Sequence, residues 1–231
     1  MRNSQLDKAN TGSGRPSEVT SHYLEAIYYM RAEGETIRSA RLADWLSVSR
    51  PTVTVGLRRM ARDGLVRLNV HRIELTRRGE AAAASIVRRH RIMERWLSES
   101  LGLDWVTADE EAARLEHAIS QVVEDRLYQA LGRPKTCPHG NPIPGYAEVN
   151  RREVRLSALR AGQTGTITRI SEVAQREAPP LLQYLHERQL VPMTRVKVLE
   201  VDEVGRTLRL RAAARELTLS YETAAKLSVV P

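Results

Sequence analysis

Phenylalanine is missing from this 231-residue chain, and aromatic residues of all kinds make up only 4% of it. Any core must then be packed by Leu, Val, Ile and Ala, and a hydrophobic fraction of 42% is enough for one. One cysteine, Cys137, stands alone, which excludes an internal disulfide and fits a reducing compartment, although a single thiolate can still bind a metal. No apolar run approaches the length of a membrane span, and residues 1–17 lack the apolar stretch of a signal peptide. A cytoplasmic protein with no membrane partner is expected. The length suits one domain, or two or three small ones.

Charge is present in excess but unevenly. The formal net charge is +8, with 14 Lys/Arg against 9 Asp/Glu in residues 1–80 and again in residues 151–231. Residues 81–150 reverse the balance, 8 against 10, and hold three of the six histidines. Basic ends favour a polyanionic partner, because each neutralised phosphate releases condensed counterions. Such charge carries weight only beside a motif that can use it.

That motif lies near the start. Residues 1–18, with Gly12, Gly14 and Pro16, read as a flexible tail. Helical periodicity begins at Ser21 with Tyr23, Leu24, Ile27, Tyr28 and Met30, and Gly34 interrupts it. A second short helix is expected over residues 39–46. After the turn Ser47-Val48-Ser49 a third follows, with Ser49 as its cap, Pro51 in its first turn, and Val53, Leu57, Met60 and Ala61 as its buried stripe. Residues 65–68 and 72–75 then alternate like two strands joined by Asn69-Val70-His71. Three helices and a hairpin make a winged helix-turn-helix.

In that motif the N-terminal residues of the third helix meet base edges in the major groove. Ser49, Arg50, Pro51, Thr52, Thr54 and Val55 are the candidates here. Arginine can reach guanine or phosphate, and threonine can hydrogen-bond or lay its methyl on thymine. Arg58, Arg59 and Arg62, with Arg67 and Arg72 on the hairpin, are placed for phosphate contacts. The alternative is a module that only scaffolds protein contacts. A site this small is seldom specific alone, so a homodimer on a near-palindromic stretch of double-stranded DNA is expected.

Further on, helical periodicity covers residues 79–101. Thr107 and Glu110 have capping-box spacing for another helix running to Leu131. The apolar surfaces of these two helices can close a core or a dimer interface. Residues 132–149 contain four prolines and three glycines, which argues against regular structure. Short strand-like pieces follow at residues 154–156, 165–170, 195–201, 207–210 and 217–219, with a short helix at 179–185, the pattern of a small barrel.

Metal-capable side chains recur through the helical middle. His22 and Glu25 are three apart on the first helix, and His90 and Glu94 four apart on the fourth, so each pair shares a face. Glu116 and His117 are adjacent on the expected fifth helix, with Asp109 two turns earlier, and the linker adds Cys137 and His139. Each group alone can be an ordinary surface pair or turn. Four of six histidines in such company favour divalent transition ions.

These residues fall into recognisable strings: His22-Tyr23-Leu24-Glu25-Ala26-Ile27-Tyr28, Ser49-Arg50-Pro51-Thr52-Val53-Thr54, Arg89-His90-Arg91-Ile92-Met93-Glu94 and Leu115-Glu116-His117-Ala118-Ile119-Ser120. With Gly140-Asn141-Pro142-Ile143-Pro144-Gly145, preceded by Cys137-Pro138-His139, they resemble the diphtheria-toxin-repressor and manganese-transport-regulator family of metal-dependent bacterial repressors. The resemblance runs from about Val19 to the last strands. It implies a mainly α protein with small β elements in three domains. These are a winged helix-turn-helix at 19–78, a helical dimerisation and metal-binding domain with its linker at 79–149, and an SH3-like barrel at 150–231.

The resemblance also implies two metal sites per subunit, holding Mn(2+) or Fe(2+) as corepressor, with Zn(2+), Co(2+) or Ni(2+) able to substitute in vitro. One site looks like His22, Glu25, Glu116 and His117. The other looks like His90 and Glu94 with Glu177. Cys137 and His139 are added to it on ligand chemistry, and Asp109 matches a ligand position of the iron-responsive members. His22 stands where relatives carry methionine or aspartate, and Ala113 where they carry a ligand. The expected function is repression of manganese or iron uptake genes. A winged-helix regulator with purely structural metal is the alternative. An enzyme is not expected, since a metal hydrolase needs an open coordination position and a water-activating base beside a cleft. No small organic substrate is implied.

Overall fold

A computed structural model describes residues 15–231, except His71, Ala214 and the side chains of Arg176 and Glu177. The expected tail therefore lies almost wholly outside the described residues, as does the side chain of Glu177. The chain divides into two compact units, residues 1–83 and 84–231.

In the first unit, α1 (Glu18–Ala32) starts at Ser17, whose hydroxyl accepts from the Thr20 amide, and buries Tyr23, Leu24, Ile27 and Met30. α2 (Ser39–Leu46) ends where Ser47 turns left-handed at φ 53°. α3 (Arg50–Arg62) follows at once. The Ser49 hydroxyl accepts from the Thr52 amide at 3.3 Å, Pro51 sits in the first turn, and Val53, Leu57 and Met60 form the buried stripe. β1 (Val66–Leu68) and β2 (Ile73–Leu75) pair antiparallel, with Arg67 opposite Glu74. The first turn of α4 (Arg77–Leu101) lies so close to this hairpin that a Cβ on Gly79 would meet the Leu65 carbonyl oxygen at 1.9 Å. Only glycine fits there.

In the second unit, the expected long helix from Thr107 to Leu131 proves to be two. α5 (Trp105–Leu115) begins two residues earlier, because Asp104 outcompetes Thr107 as the cap: its Oδ1 accepts from the amides of Val106 and Thr107, each at 3.0 Å. α6 (Gln121–Ala130) has its own cap in Ser120, so Glu116 and His117 stand in the turn between the helices and not on a helix face. The linker, all of it described, has no regular strand or helix from Leu131 up to Val154, apart from a single bridge between Thr136 and Pro142.

A six-stranded antiparallel sheet follows in the order β3-β8-β4-β5-β6-β7. Its strands are β3 (Val154–Arg155), β4 (Thr164–Ile170), β5 (Arg195–Asp202), β6 (Thr207–Ala212), β7 (Arg215–Ser220) and β8 (Leu227–Val230). A 3-10 turn, Leu156–Ala158, shortens the first expected strand. α7 (Glu172–Glu177), α8 (Pro179–Glu187) and α9 (Tyr221–Ala225) fill the crossovers. Ile167, Val196, Val198, Leu208, Leu210, Leu219 and Val229 alternate into one aliphatic core. Among the described residues the aromatic side chains packed against it, Trp105, Tyr184 and Tyr221, are only partly buried.

No helix among the described residues is long and apolar enough to cross a membrane.

Candidate metal centre

α4 places His90 and Glu94 one turn apart, and both are buried, at 8% and 2% exposure. His90 reaches back into its own unit. Its Nδ1 lies 2.8 Å from Glu116 Oε2 and its Nε2 lies 3.3 Å from Asp109 Oδ1. The Glu116 turn is fixed from below by Arg89, whose Nε donates to the Glu116 carbonyl at 2.9 Å while its Nη1 donates to Ser85. His117 Nε2 sits 3.3 Å from the other Glu116 oxygen. Burial alone would lower the His90 pKa, but hydrogen bonds and charge from Asp109 and Glu116 overcome it and hold the imidazole well above its ordinary value.

Glu94 faces the linker. There Cys137 and Asn141 close a tight loop, with the Cys137 amide donating to the Asn141 carbonyl at 2.9 Å and the Gly140 amide to the Cys137 carbonyl at 3.0 Å. Three clamps hold this loop. Arg95 Nη1 donates to the Thr136 carbonyl at 2.7 Å, Asn141 Nδ2 donates to the Ile170 carbonyl at 2.9 Å, and the Ile170 amide donates to the His139 carbonyl at 2.9 Å. Gly140 has φ 85°, and a Cβ there would lie 1.9 Å from the Thr168 carbonyl oxygen. Gly140→Ala is therefore expected to push the loop off β4 and cost roughly 2–4 kcal/mol, read as a lower urea midpoint with unchanged slope.

The loop delivers Cys137 and His139 to Glu94. One ligand atom of each lies within 4.8 Å of the others, and all three residues are at most 2% exposed. His139 Nδ1 and Glu94 Oε1 are 2.6 Å apart. Yet among the described residues neither atom has a hydrogen bond, and neither does His139 Nε2. Two buried polar atoms side by side without bonding geometry are costly unless they point at a shared third partner. One carboxylate, one thiol and one imidazole form a donor set that fits a divalent transition ion, with the sulfur favouring softer ones. Burial first, and then the charge of Glu94, keep the Cys137 thiol well above its usual pKa.

Asp109 joins His90 and Glu94 in a second grouping, so Glu94 is common to both. Beside them Arg91, 3% exposed at its side chain, donates to Glu172 Oε1 at 2.9 Å and also to the Pro142 carbonyl. From α7 the acidic side chain Glu172 reaches this cluster through Arg91, while the side chain of the expected ligand Glu177 lies outside the described residues. The sequence gives no local signal for Glu172, because its partner is 81 residues away. Arg91, Arg95 and Glu172 were all missed as supporting residues. Of the other expected ligands, His22 is exposed and Glu25 buried on α1, in the first unit.

The DNA-facing candidates divide. Ser49, Arg50, Pro51, Thr52, Val55, Arg58, Arg59, Arg62, Arg67 and Arg72 are exposed, with Val55 at 67%. Thr54 is half-buried and its hydroxyl donates back to the Arg50 carbonyl at 3.0 Å, which leaves its methyl as the freer group.

Comparison with known proteins covers the same ground. The family model described as iron dependent repressor, N-terminal DNA binding domain, matches residues 17–72. The iron dependent repressor metal binding and dimerisation domain matches residues 76–145, and the FeoA domain residues 154–231. The iron-dependent repressor IdeR of Mycobacterium tuberculosis (strain ATCC 25618 / H37Rv) is 37% identical over 224 residues, covering 92% of this chain and 96% of that one. The diphtheria toxin repressor of Corynebacterium diphtheriae is 36% identical over 178 residues, 73% of this chain and 79% of its own. Among solved structures, a manganese-dependent transcriptional repressor in complex with manganese superposes with a TM-score of 0.82 at 31% identity, over 91% of this chain and 99% of its own. IdeR of T. acidophilum gives 0.75 at 26% identity, over 93% and 97%.

Proposed function

Because this chain belongs to the iron-dependent repressor family, whose members are metal-dependent transcriptional repressors, we propose that it represses manganese or iron uptake genes with the divalent ion as corepressor. It binds DNA and dimerises, and we take the operator to be a near-palindrome read by two copies of α3. The observation that carries the reading is the buried trio Glu94, Cys137 and His139, whose ligand atoms converge while Glu94 Oε1 and both His139 nitrogens have no hydrogen bond among the described residues.

In this reading Glu94, Cys137 and His139 hold one ion, and His90 and Asp109 extend the ligand set around Glu94. When bound, the ion supplies the positive charge that lets carboxylate, thiolate and imidazole share one buried point. Arg95 positions the Cys137 loop. Arg89 positions Glu116, and the Arg91–Glu172 pair fixes the surrounding charge. Ligand binding and DNA binding are then linked: whatever factor the ion adds to DNA affinity, DNA adds to ion affinity.

The test is a DNA-binding titration on upstream regions of metal-transport genes in chelator, Mn(II), Fe(II) and Zn(II). Metal is expected to raise affinity by about 5- to 150-fold, the usual span of coupling free energies. Equal affinity in chelator and in every metal would sink the switch and leave a regulator whose metal is structural.

On the DNA side, Arg50→Ala is expected to cost about 1–3 kcal/mol and to relax sequence preference at one base pair. Arg58→Ala should weaken all sequences alike and lower the salt slope by about one. Affinities measured across a salt series on matched and mismatched operators separate the two.

A further inference from the structure

Glu94, Cys137 and His139 are too deeply buried to exchange an ion with solvent directly, at 2%, 1% and 0% exposure. Next to them, within the same unit, lies an open groove of about 1080 Å³ between the end of α4, the start of α5 and α8. None of the three lines it. Each has an immediate neighbour that does. Arg95 follows Glu94 and also reaches the Cys137 carbonyl at 3.3 Å, and Pro138 separates Cys137 from His139. Trp105 packs edge-on against His139 with ring centroids 4.6 Å apart.

The Trp105 indole also meets another groove residue, His186 of α8, again edge-on with ring centroids 4.7 Å apart. A single half-buried ring thus touches the ligand histidine and lines the groove, and it also packs against the aliphatic core of the sheet. The groove also carries Glu99, Asp104 and Glu187 against one guanidinium, Arg95, and Arg95 is already paired with Glu99 at 2.7 Å. A concave surface with a surplus of carboxylates concentrates cations at its mouth.

We propose that this groove is the route by which the divalent ion enters and leaves the buried site, with the Trp105 ring as its gate. The inference rests on the metal-site reading given above. Swinging the indole away breaks its contacts with His139 and His186 and opens the wall beside a ligand, while Arg95 keeps the Cys137 loop in place. The gate sets rates, not the equilibrium, because neither Trp105 nor His186 is a ligand in this reading.

Cobalt(II) is the probe, since thiolate-to-cobalt absorption reports Cys137 coordination directly in the full-length protein. Stopped-flow loading and chelator-driven release are followed in the parent, Trp105→Ala, Trp105→Phe and His186→Ala. Trp105→Ala is expected to speed loading and release alike by about tenfold, equivalent to about 1.4 kcal/mol of barrier, with an equilibrium affinity within about threefold of the parent. His186→Ala, which alters only an exposed side chain on α8, should speed both by about threefold. It keeps the proposal testable if Trp105→Ala fails to fold, and Trp105→Phe should fall between that variant and the parent. Raising salt should slow loading in the parent. Unchanged rates in His186→Ala and Trp105→Phe overturn the gate. So does a Trp105→Ala variant that loses affinity through faster release with unchanged loading, since Trp105 would then only position His139. If the absorption is missing in the parent, or survives in Cys137→Ser, the metal-site reading itself fails, an outcome distinct from failure of the gate.

Discussion

Glu94→Gln is expected to abolish the thermal stabilisation that a divalent ion gives, while leaving the protein at least as stable as the parent in chelator. An ion held at a hundred times its dissociation constant adds about 2.7 kcal/mol to the native state. For a chain of this size that is a rise of roughly 5–10 °C in Tm. Glu94 belongs to both candidate groupings, so removing its carboxylate weakens either one. Losing even a residue that merely orients a ligand costs about 10- to 100-fold in metal affinity, and a ligand should cost more. The opposite sign in chelator follows from burial. Among the described residues Glu94 Oε1 is buried without a hydrogen bond, and a neutral amide of the same shape is cheaper to bury than a carboxylate. A purely structural Glu94 gives the reverse pattern, a lower Tm in chelator and an intact shift with metal. Thermal scans of both proteins with and without Mn(II) or Zn(II) decide between them.

Legibility in the sequence tracked the range of the interaction. α3 was readable almost to the residue, because its cap, its first-turn proline and its stripe all lie within thirteen residues. Local chemistry also misled. Thr107 and Glu110 have capping-box spacing, but Asp104 caps α5 from three residues upstream, and the break at residues 116–120 shows no glycine or proline. That break matters, since it lets Glu116 turn toward His90. β8 was invisible for another reason. Three of its four residues are buried, Ser228 among them, so it lacks the alternation that marks a half-buried strand.

The candidate site was legible as a list of ligand types and hidden as an arrangement. Spacing paired His90 with Glu94 and Cys137 with His139. Spacing cannot say that Glu94 turns to the linker while His90 turns to Asp109 and Glu116. Those choices are made by Arg91, Arg95 and Asn141, whose hydrogen bonds span 28 to 81 residues of sequence. Trp105 reads in the sequence as one more apolar residue. Its contacts with two histidines exist only once the linker loop and α8 are folded against α5.

Metal affinity is also expected to climb steeply with pH, by about tenfold per unit for each proton displaced. Both titrating groups push the same way. His90 stays protonated well above 6.5, because Asp109 and Glu116 outweigh the effect of its burial, and Cys137 stays a thiol well above 9.0, because burial and then Glu94 disfavour the thiolate. Near neutrality each must give up its proton before it can serve as a ligand, so if both bind, the slope approaches about a hundredfold per pH unit. Folding in chelator carries the opposite sign. A group whose folded pKa is raised stabilises the native state fully below its unfolded pKa, and that stability is lost as pH rises through the folded value. For His90 the loss begins above about 6.5, and for Cys137 above about 8.5–9. The Tm measured in chelator should therefore fall across the alkaline range, while the gap opened by adding metal should widen. Calorimetric titrations in buffers of different ionisation enthalpy count the protons released. A gap that stays constant from pH 6 to pH 8.5, with no protons released, would mean that neither His90 nor Cys137 is a ligand.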